Sequence, residues 1–212
     1  MDIWSIKETF IDRFYTKYGC DIENGWTVID IGAAIGEFSI FSACGRPNTR
    51  VLAYEPFIES VDLLRDNLVL NKLKNVTVIP KAVWKRTSRL SLDLSHQEPL
   101  KITSTDGSKK GKDVGRIRVQ AVSLKEVLKS NHLKAVDLVK LDCEGAEFDI
   151  LLDSDPDTIR SFKRMVMEYH DGQTGRHHSQ LVSHLEQLGY RVVTHSNVVH
   201  PEIGYLFAEQ LR

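Results

Sequence analysis

Hydrophobic positions along this chain switch repeatedly between two periods. Trp26 to Ile31 is a short apolar and β-branched run, the pattern of a strand buried on both faces. Gly32 and Gly36 interrupt it, and from Phe38 to Ala43 apolar residues return at helical spacing. The succession then recurs. Arg50–Tyr54 predicts a second strand, stopped by Glu55-Pro56. Ile58–Leu70 predicts an amphipathic helix with Val61, Leu64 and Leu68, flanked by Leu63 and Val69, facing inward. Val76–Ile79 predicts a third strand, with Lys81-Ala82-Val83-Trp84 at its end. Val136–Leu141 predicts a fourth, ending at Asp142-Cys143-Glu144-Gly145, and Glu147–Leu152 a helix after it. Met165–Met167 predicts a fifth, ending at Glu168-Tyr169-His170. Ser179–Leu188 reads as a helix stopped by Gly189, with closing strands at Tyr190–Thr194 and Tyr205–Ala208.

Three stretches stand outside that rhythm. Ile6, Phe10, Ile11, Phe14 and Tyr15 mark one face of a leading helix over Ile6–Tyr18, so the segment 1–20 is expected to cover the core or the mouth of a site. Leu90–Leu94 and Arg116–Val122 alternate and predict a hairpin, after which Ser123 caps a short helix to Leu128. Residues 101–115 are polar and rich in Gly, Lys and Ser, which predicts a mobile surface loop rather than a linker. Strands alternating with helices imply an α/β fold, with a mostly parallel sheet covered on both faces.

Composition narrows this little. A chain of 212 residues is most simply one domain, and a net charge of -1 gives no global pull toward nucleic acid or an anionic membrane. Three widely spaced cysteines without a C-x-x-C argue against a disulfide framework and a zinc site, and suit free thiols in a reducing cytosol. The first residues lack the basic and apolar regions of a signal peptide. No run approaches the ~18 apolar residues of a membrane span.

The chemistry gathers at the predicted strand ends. The first turn reads Asp30-x-Gly32-x-Ala34-x-Gly36, with Glu37 next. A dinucleotide turn needs G-x-G-x-x-G, whose middle glycine is missing here, and delivers a pyrophosphate to a helix N-terminus. Two carboxylates beside the turn repel a pyrophosphate and suit a ligand with positive charge. S-adenosylmethionine fits, with a sulfonium, an ammonium and no phosphate. Gly32, Ala33, Ala34, Gly36, Glu37, Phe38 and Ser39 are therefore candidate cofactor contacts along with Asp30. The plainer alternative is a strand-turn-helix with surface acids. Glu55, before Pro56, stands where an acid accepts the ribose hydroxyls. Phe57 can flank the adenine, and Ala82 and Val83 can form its floor; each can equally be core.

Asp142, Glu168 and His170 are the candidate general bases, and Asp142 and Glu144 further cofactor contacts. His170 has the ordinary pKa nearest neutrality. Asp142, Glu144, Glu168 and His170 can also hold a hard cation, but no spacing motif supports one, so no resident metal is expected. His177-His178 reads as a solvated loop pair.

Asp30-Ile31-Gly32-Ala33-Ala34-Ile35-Gly36, Tyr54-Glu55-Pro56 and the block from Val139 to Glu147 together resemble the FkbM family of S-adenosylmethionine-dependent methyltransferases. The similarity runs from about Trp26 to about His170, and the Lys140-x-Asp142-x-Glu144-Gly145-Ala146-Glu147 block is its most specific part. The resemblance implies a Rossmann-like class I methyltransferase fold, a mostly parallel seven-stranded sheet with an antiparallel last strand. It implies methyl transfer to a hydroxyl of a sugar, polyketide or other small metabolite or glycan. The family commonly has Asn where this chain has Ala34, which removes one side-chain hydrogen bond to the cofactor, and often Val in place of Cys143. N-methylation of protein or nucleic acid is an alternative, weakened because strand four lacks an Asn/Asp-Pro-Pro-aromatic end. A non-catalytic S-adenosylmethionine-binding module is another, weakened because it needs no polar residues after strands four and five.

Overall fold

The computed structural model describes residues 2–93, 101–103 and 116–211. The chain starts with α1 (Asp2–Ile6), which widens into a π-helical turn over Lys7–Ile11. In order there follow β1 (Thr27–Ile31), α2 (Glu37–Ala43), β2 (Arg50–Tyr54), α3 (Ile58–Leu70), β3 (Val76–Ile79), β4 (Ala82–Val83), β5 (Ser88–Asp93), β6 (Lys101–Thr103), β7 (Arg116–Val122) and α4 (Leu124–Ser130). The chain ends with β8 (Leu138–Leu141), α5 (Ala146–Leu152), α6 (Pro156–Arg160), β9 (Arg164–His170), α7 (His178–Gln187), β10 (Tyr190–Ser196) and β11 (Ile203–Gln210).

Seven strands form the main sheet in the order β10-β11-β9-β8-β1-β2-β3. The pairs β1·β2, β1·β8, β2·β3 and β8·β9 are parallel, while β11 runs antiparallel to both β9 and β10. This is the doubly wound sheet that the alternating periods implied, with the last strand reversed. Its central strands carry apolar residues on both faces: Val28, Ile29, Val51, Leu52, Leu138 and Val139 are all buried. Both α1 and the other described helices are too short or too polar to cross a membrane.

The structure corrects several local expectations. The leading helix does not reach Tyr18. It ends at Ile11, and Arg13 takes a left-handed φ of 52° that starts a turn. Ile6, Phe10 and Ile11 are exposed, so the apolar spacing does not mark one buried face. What covers the sheet is the turn itself: Tyr15, Cys20 and Ile22 pack with Val28, Phe38 and Phe207. On α3, Val61, Leu64 and Leu68 are buried, but Leu63 and Val69 are exposed, because at ~100° per residue they fall off the stripe. The helix α6 was not foreseen; Asp155 caps it through Asp157 N–H, with Pro156 at its first position.

The expected hairpin strands do pair, as β5 with β7, Leu90 opposite Val119. Residues 101–103 form β6 on the far side of β5, not part of a loop. Leu94 and the rest of the expected loop, 104–115, lie outside the described residues. The fifth strand of the main sheet runs three residues further than its apolar core suggests. Glu168, Tyr169 and His170 are held in β9 by Tyr205, Gly204 and Ile203 of β11. Glu168 and His170, two apart on a strand, therefore point the same way from a rigid edge.

Candidate active site

The carboxyl ends of β1, β2, β8 and β9 line one edge of the sheet, where an α/β fold collects ligand-binding groups. The turn after β1 is built first. A Cβ at Gly32, whose φ is +75°, would overlap the backbone carbonyl oxygen of Asp142, so only glycine lets β1 and β8 end this close together. Ala34 also lies in the left-handed region, at φ 45°, a conformation that costs a residue with a Cβ roughly 1–2 kcal/mol and Asn less. Its N–H donates to Glu55 Oε2 at 2.9 Å, and Phe57 N–H donates to Glu55 Oε1 at 2.9 Å. Glu55 is thus oriented by two backbone groups and keeps lone pairs for a ligand. We expect Ala34→Asn to raise the unfolding free energy by about 0.5–1 kcal/mol by relieving that strain. Urea denaturation checks it, and a destabilised variant would show that the Asn side chain finds no room there.

Beneath the turn lies Lys140, in the middle of the buried strand β8. Its Nζ donates to the Gly32 carbonyl at 2.7 Å, lies 3.2 Å from Asp30 Oδ1, and 3.9 Å from Asp142 Oδ2. Ser39 Oγ donates to Asp30 Oδ2 at 2.7 Å. Burial alone would lower the Lys140 ammonium, but Asp30, Asp142 and Glu37 more than offset this and raise it, so it stays charged. Burial pushes Asp30 up, with Lys140 and Ser39 pulling the other way.

A second cluster stands at the ends of β8 and β9. His170 Nδ1 is 2.7 Å from Glu147 Oε1, and both side chains are buried. His170 Nε2 lies 3.6 Å from Glu144 Oε2 and 3.7 Å from Glu168 Oε2. Asp142, Glu168 and His170 each bring one polar atom within 4.8 Å of the others. Tyr15, from the N-terminal turn, donates its hydroxyl to Asp142 Oδ2 at 2.8 Å. Burial alone would lower His170, but the Glu147 hydrogen bond and charge, then Asp142 and Glu144, carry it up to about 10. Those carboxylates favour the protonated ring, which weakens His170 as the base that its ordinary pKa suggests. Burial, and after it Asp142, pushes Glu168 up.

Six of the residues singled out from the sequence line one cleft: Gly32, Glu55, Pro56, Ala82, Val83 and Asp142. Ile31, Tyr54 and Cys143, which stood in the quoted motifs without a ligand role, and Leu92 complete it. Other candidates lie elsewhere. Asp30 and Ser39 are fully buried and brace the turn from below. Phe38 is buried edge-on against Tyr15, with ring centroids 5.3 Å apart, and Phe57 is core. Ala33 and Gly36 are buried in the turn. Glu144, at φ 52°, belongs with His170 rather than with the cleft. Glu37 carries a buried Oε2 that has no hydrogen bond among the described residues, and burial lifts its carboxyl to about 7. Lys140, Glu147 and Tyr15 were missed as site residues. Lys140 and Glu147 both stood in the most specific block of the resemblance, and Lys140 also as a charge between Val139 and Leu141 in a strand that must be buried on both faces.

Residues 30–192 match the family model described as the methyltransferase FkbM domain. The 31-O-demethyl-FK506 methyltransferase FkbM of Streptomyces tacrolimicus is 26% identical, over 88% of this chain and 81% of that protein. The AMB antimetabolite synthetase AmbE of Pseudomonas aeruginosa is 25% identical over 80% of this chain, which spans only 10% of that protein. Among solved structures, the methyltransferase FkbM from Methylobacillus flagellatus superposes with a TM-score of 0.61 at 14% identity, over 92% of this chain and 46% of that one. With the match covering most of its length, the chain belongs to the FkbM family of S-adenosylmethionine-dependent methyltransferases.

Proposed function

We propose that the protein methylates a hydroxyl group of a small acceptor, a metabolite, sugar or polyketide. The observation that carries this reading is the Asp142–Glu168–His170 cluster, standing beside the cleft that ends at Glu55. The site fits the cofactor. Glu37 Oε2 is a buried acceptor without a partner among the described residues, suited to an ammonium. Glu55 offers its free lone pairs to two ribose hydroxyls, and Ala82 and Val83 present an apolar wall for a purine. S-adenosylmethionine, when bound, supplies a methyl group on a sulfonium that is already a good electrophile.

The chain must then align the acceptor oxygen and accept its proton. Alignment supplies most of the acceleration, and a general base about 10²–10⁴-fold. Asp142 and Glu168 take that proton, while His170, held between Glu147 and the outer carboxylates, fixes the cluster's charge and geometry. Tyr15 orients Asp142 by donating its hydroxyl to Oδ2. The Streptomyces tacrolimicus relative acts, by its name, on 31-O-demethyl-FK506, which supports an oxygen acceptor here. A screen with methyl-labelled cofactor against a cell extract, followed by identification of the product, tests the reading. Label found only on nitrogen would overturn it.

Glu55→Ala removes the acceptor of two hydroxyls. Hydrogen bonds to a charged group are worth roughly 1.5–3 kcal/mol, so calorimetry should show affinity for the cofactor falling about ten- to a hundredfold. Burial lifts Glu55 to about 7, against the pull of the Phe57 and Ala34 N–H groups. The charged carboxylate is the better acceptor, so affinity should also weaken as pH drops below about 7, and this dependence should vanish in Glu55→Ala. Equal affinity in the parent and in folded Glu55→Ala would mean that the ribose is held elsewhere.

A further inference from the structure

We propose that Asp142, Glu168 and His170 form a binding site for one divalent cation of the Mn²⁺ class. The donors are already gathered, one polar atom from each lying within 4.8 Å of the other two. Acidic groups crowd together on many surfaces without an ion. The independent observation here is the histidine. His170 is 3% exposed, and its Nε2 makes no hydrogen bond among the described residues; it faces Glu144 at 3.6 Å and Glu168 at 3.7 Å, so an ion entering there takes the place of that nitrogen's proton. Those distances are too long for a hydrogen bond, but an ion held by bonds of about 2.1–2.2 Å fits between such atoms after small side-chain rotations.

The far side of the ring agrees. Nδ1 is held at 2.7 Å by Glu147, a fully buried carboxylate with no role in the cleft. A carboxylate behind a histidine is the usual support of a metal ligand, since it fixes the ring's orientation and raises its basicity. The backbone also suits a built site. Glu168 and His170 project from β9, and Asp142 follows β8, its parallel neighbour, so ladder hydrogen bonds fix the ligand origins. The Asp142 and Glu168 side chains are 29% and 22% exposed, which leaves a solvent side for open coordination positions. Two carboxylate oxygens and one imidazole nitrogen favour Mn²⁺ over the all-oxygen preference of Ca²⁺.

The ion's role rests on the methyl-transfer reading above: it holds the acceptor hydroxyl and makes its proton easier to lose. Its binding does not. A second group, Asp171 with His177 and His178, is the competitor to exclude. There the groups are already engaged, with His178 N–H donating to Asp171 Oδ1 at 2.6 Å and His177 Nδ1 capping α7.

The test is calorimetric titration of Mn²⁺ alone into the chelator-washed protein, with S-adenosylhomocysteine titrated in parallel. We expect one Mn²⁺ site, weakened about tenfold or more in Glu168→Gln and in Asp142→Asn, and unchanged in His177→Ala. Pulsed electron paramagnetic resonance of Mn²⁺ in the parent protein should show coupling to a single imidazole nitrogen, which needs no variant to fold. No Mn²⁺ binding overturns the proposal, and so does binding lost in His177→Ala or untouched in both carboxylate variants. A parent that binds S-adenosylhomocysteine but no Mn²⁺ removes the ion and leaves the methyltransferase reading standing. One that binds Mn²⁺ but neither form of the cofactor overturns the role assigned to the ion.

Discussion

Lys140→Met is expected to cost about 3–5 kcal/mol of unfolding free energy. Its ammonium is the buried partner of Asp30, with side-chain exposures of 4% and 0%. Methionine fills a similar volume but leaves a carboxylate in the core without compensation. The Gly32 carbonyl loses its donor as well. Two controls separate charge from packing. Adding Asp30→Asn to Lys140→Met should recover part of the loss, because the orphaned charge is gone. The deficit should also shrink in acid, since burial already raises Asp30 and a protonated acid needs no counter-ion. Urea denaturation of the three proteins decides it. A loss under about 1 kcal/mol would mean that water reaches Asp30.

Glu168→Gln should leave cofactor affinity within about tenfold of the parent, a change below 1.4 kcal/mol, because the side chain lies outside the cleft around Glu55. Turnover should fall by about 10²-fold or more. Glutamine keeps the shape and the capacity to accept hydrogen bonds but can neither take a proton nor match a carboxylate's charge. Calorimetry and single-turnover methyl transfer, once an acceptor is identified, are the paired measurements. A variant with full turnover and normal binding would move the proton acceptor to Asp142 alone.

The central strands of the main sheet were legible because they are buried on both faces and announce themselves as unbroken apolar runs. The polar residues that end those runs were legible for the same reason, since a core has no use for Glu55, Asp142 or Glu168. What failed depended on contacts that a local window does not contain. Ile6, Phe10 and Ile11 spell a helical stripe, yet the chain leaves the helix because Tyr15 packs on Phe38 and the backbone turns at Arg13. The strand at 101–103 exists only as an edge for β5. The five residues of α6 are fewer than any periodicity can report. Within the site, the ordinary pKa of His170 made it the best-suited base, because nothing local reveals that Glu147, on another element, lies against it. Phe38 and Ser39 sit beside the conserved-looking turn in sequence but under it in space.

The contact of Tyr15 with Asp142 has a consequence for how this enzyme can diversify. The family match begins at residue 30, so Tyr15 lies outside the matched segment. Asp142 lies inside that segment, and the tyrosine whose hydroxyl meets it does not. Changes before residue 30 can reshape what meets Asp142 while leaving Gly32, Glu55 and Lys140 untouched. Alignments confined to residues 30–192 will record no difference at that contact.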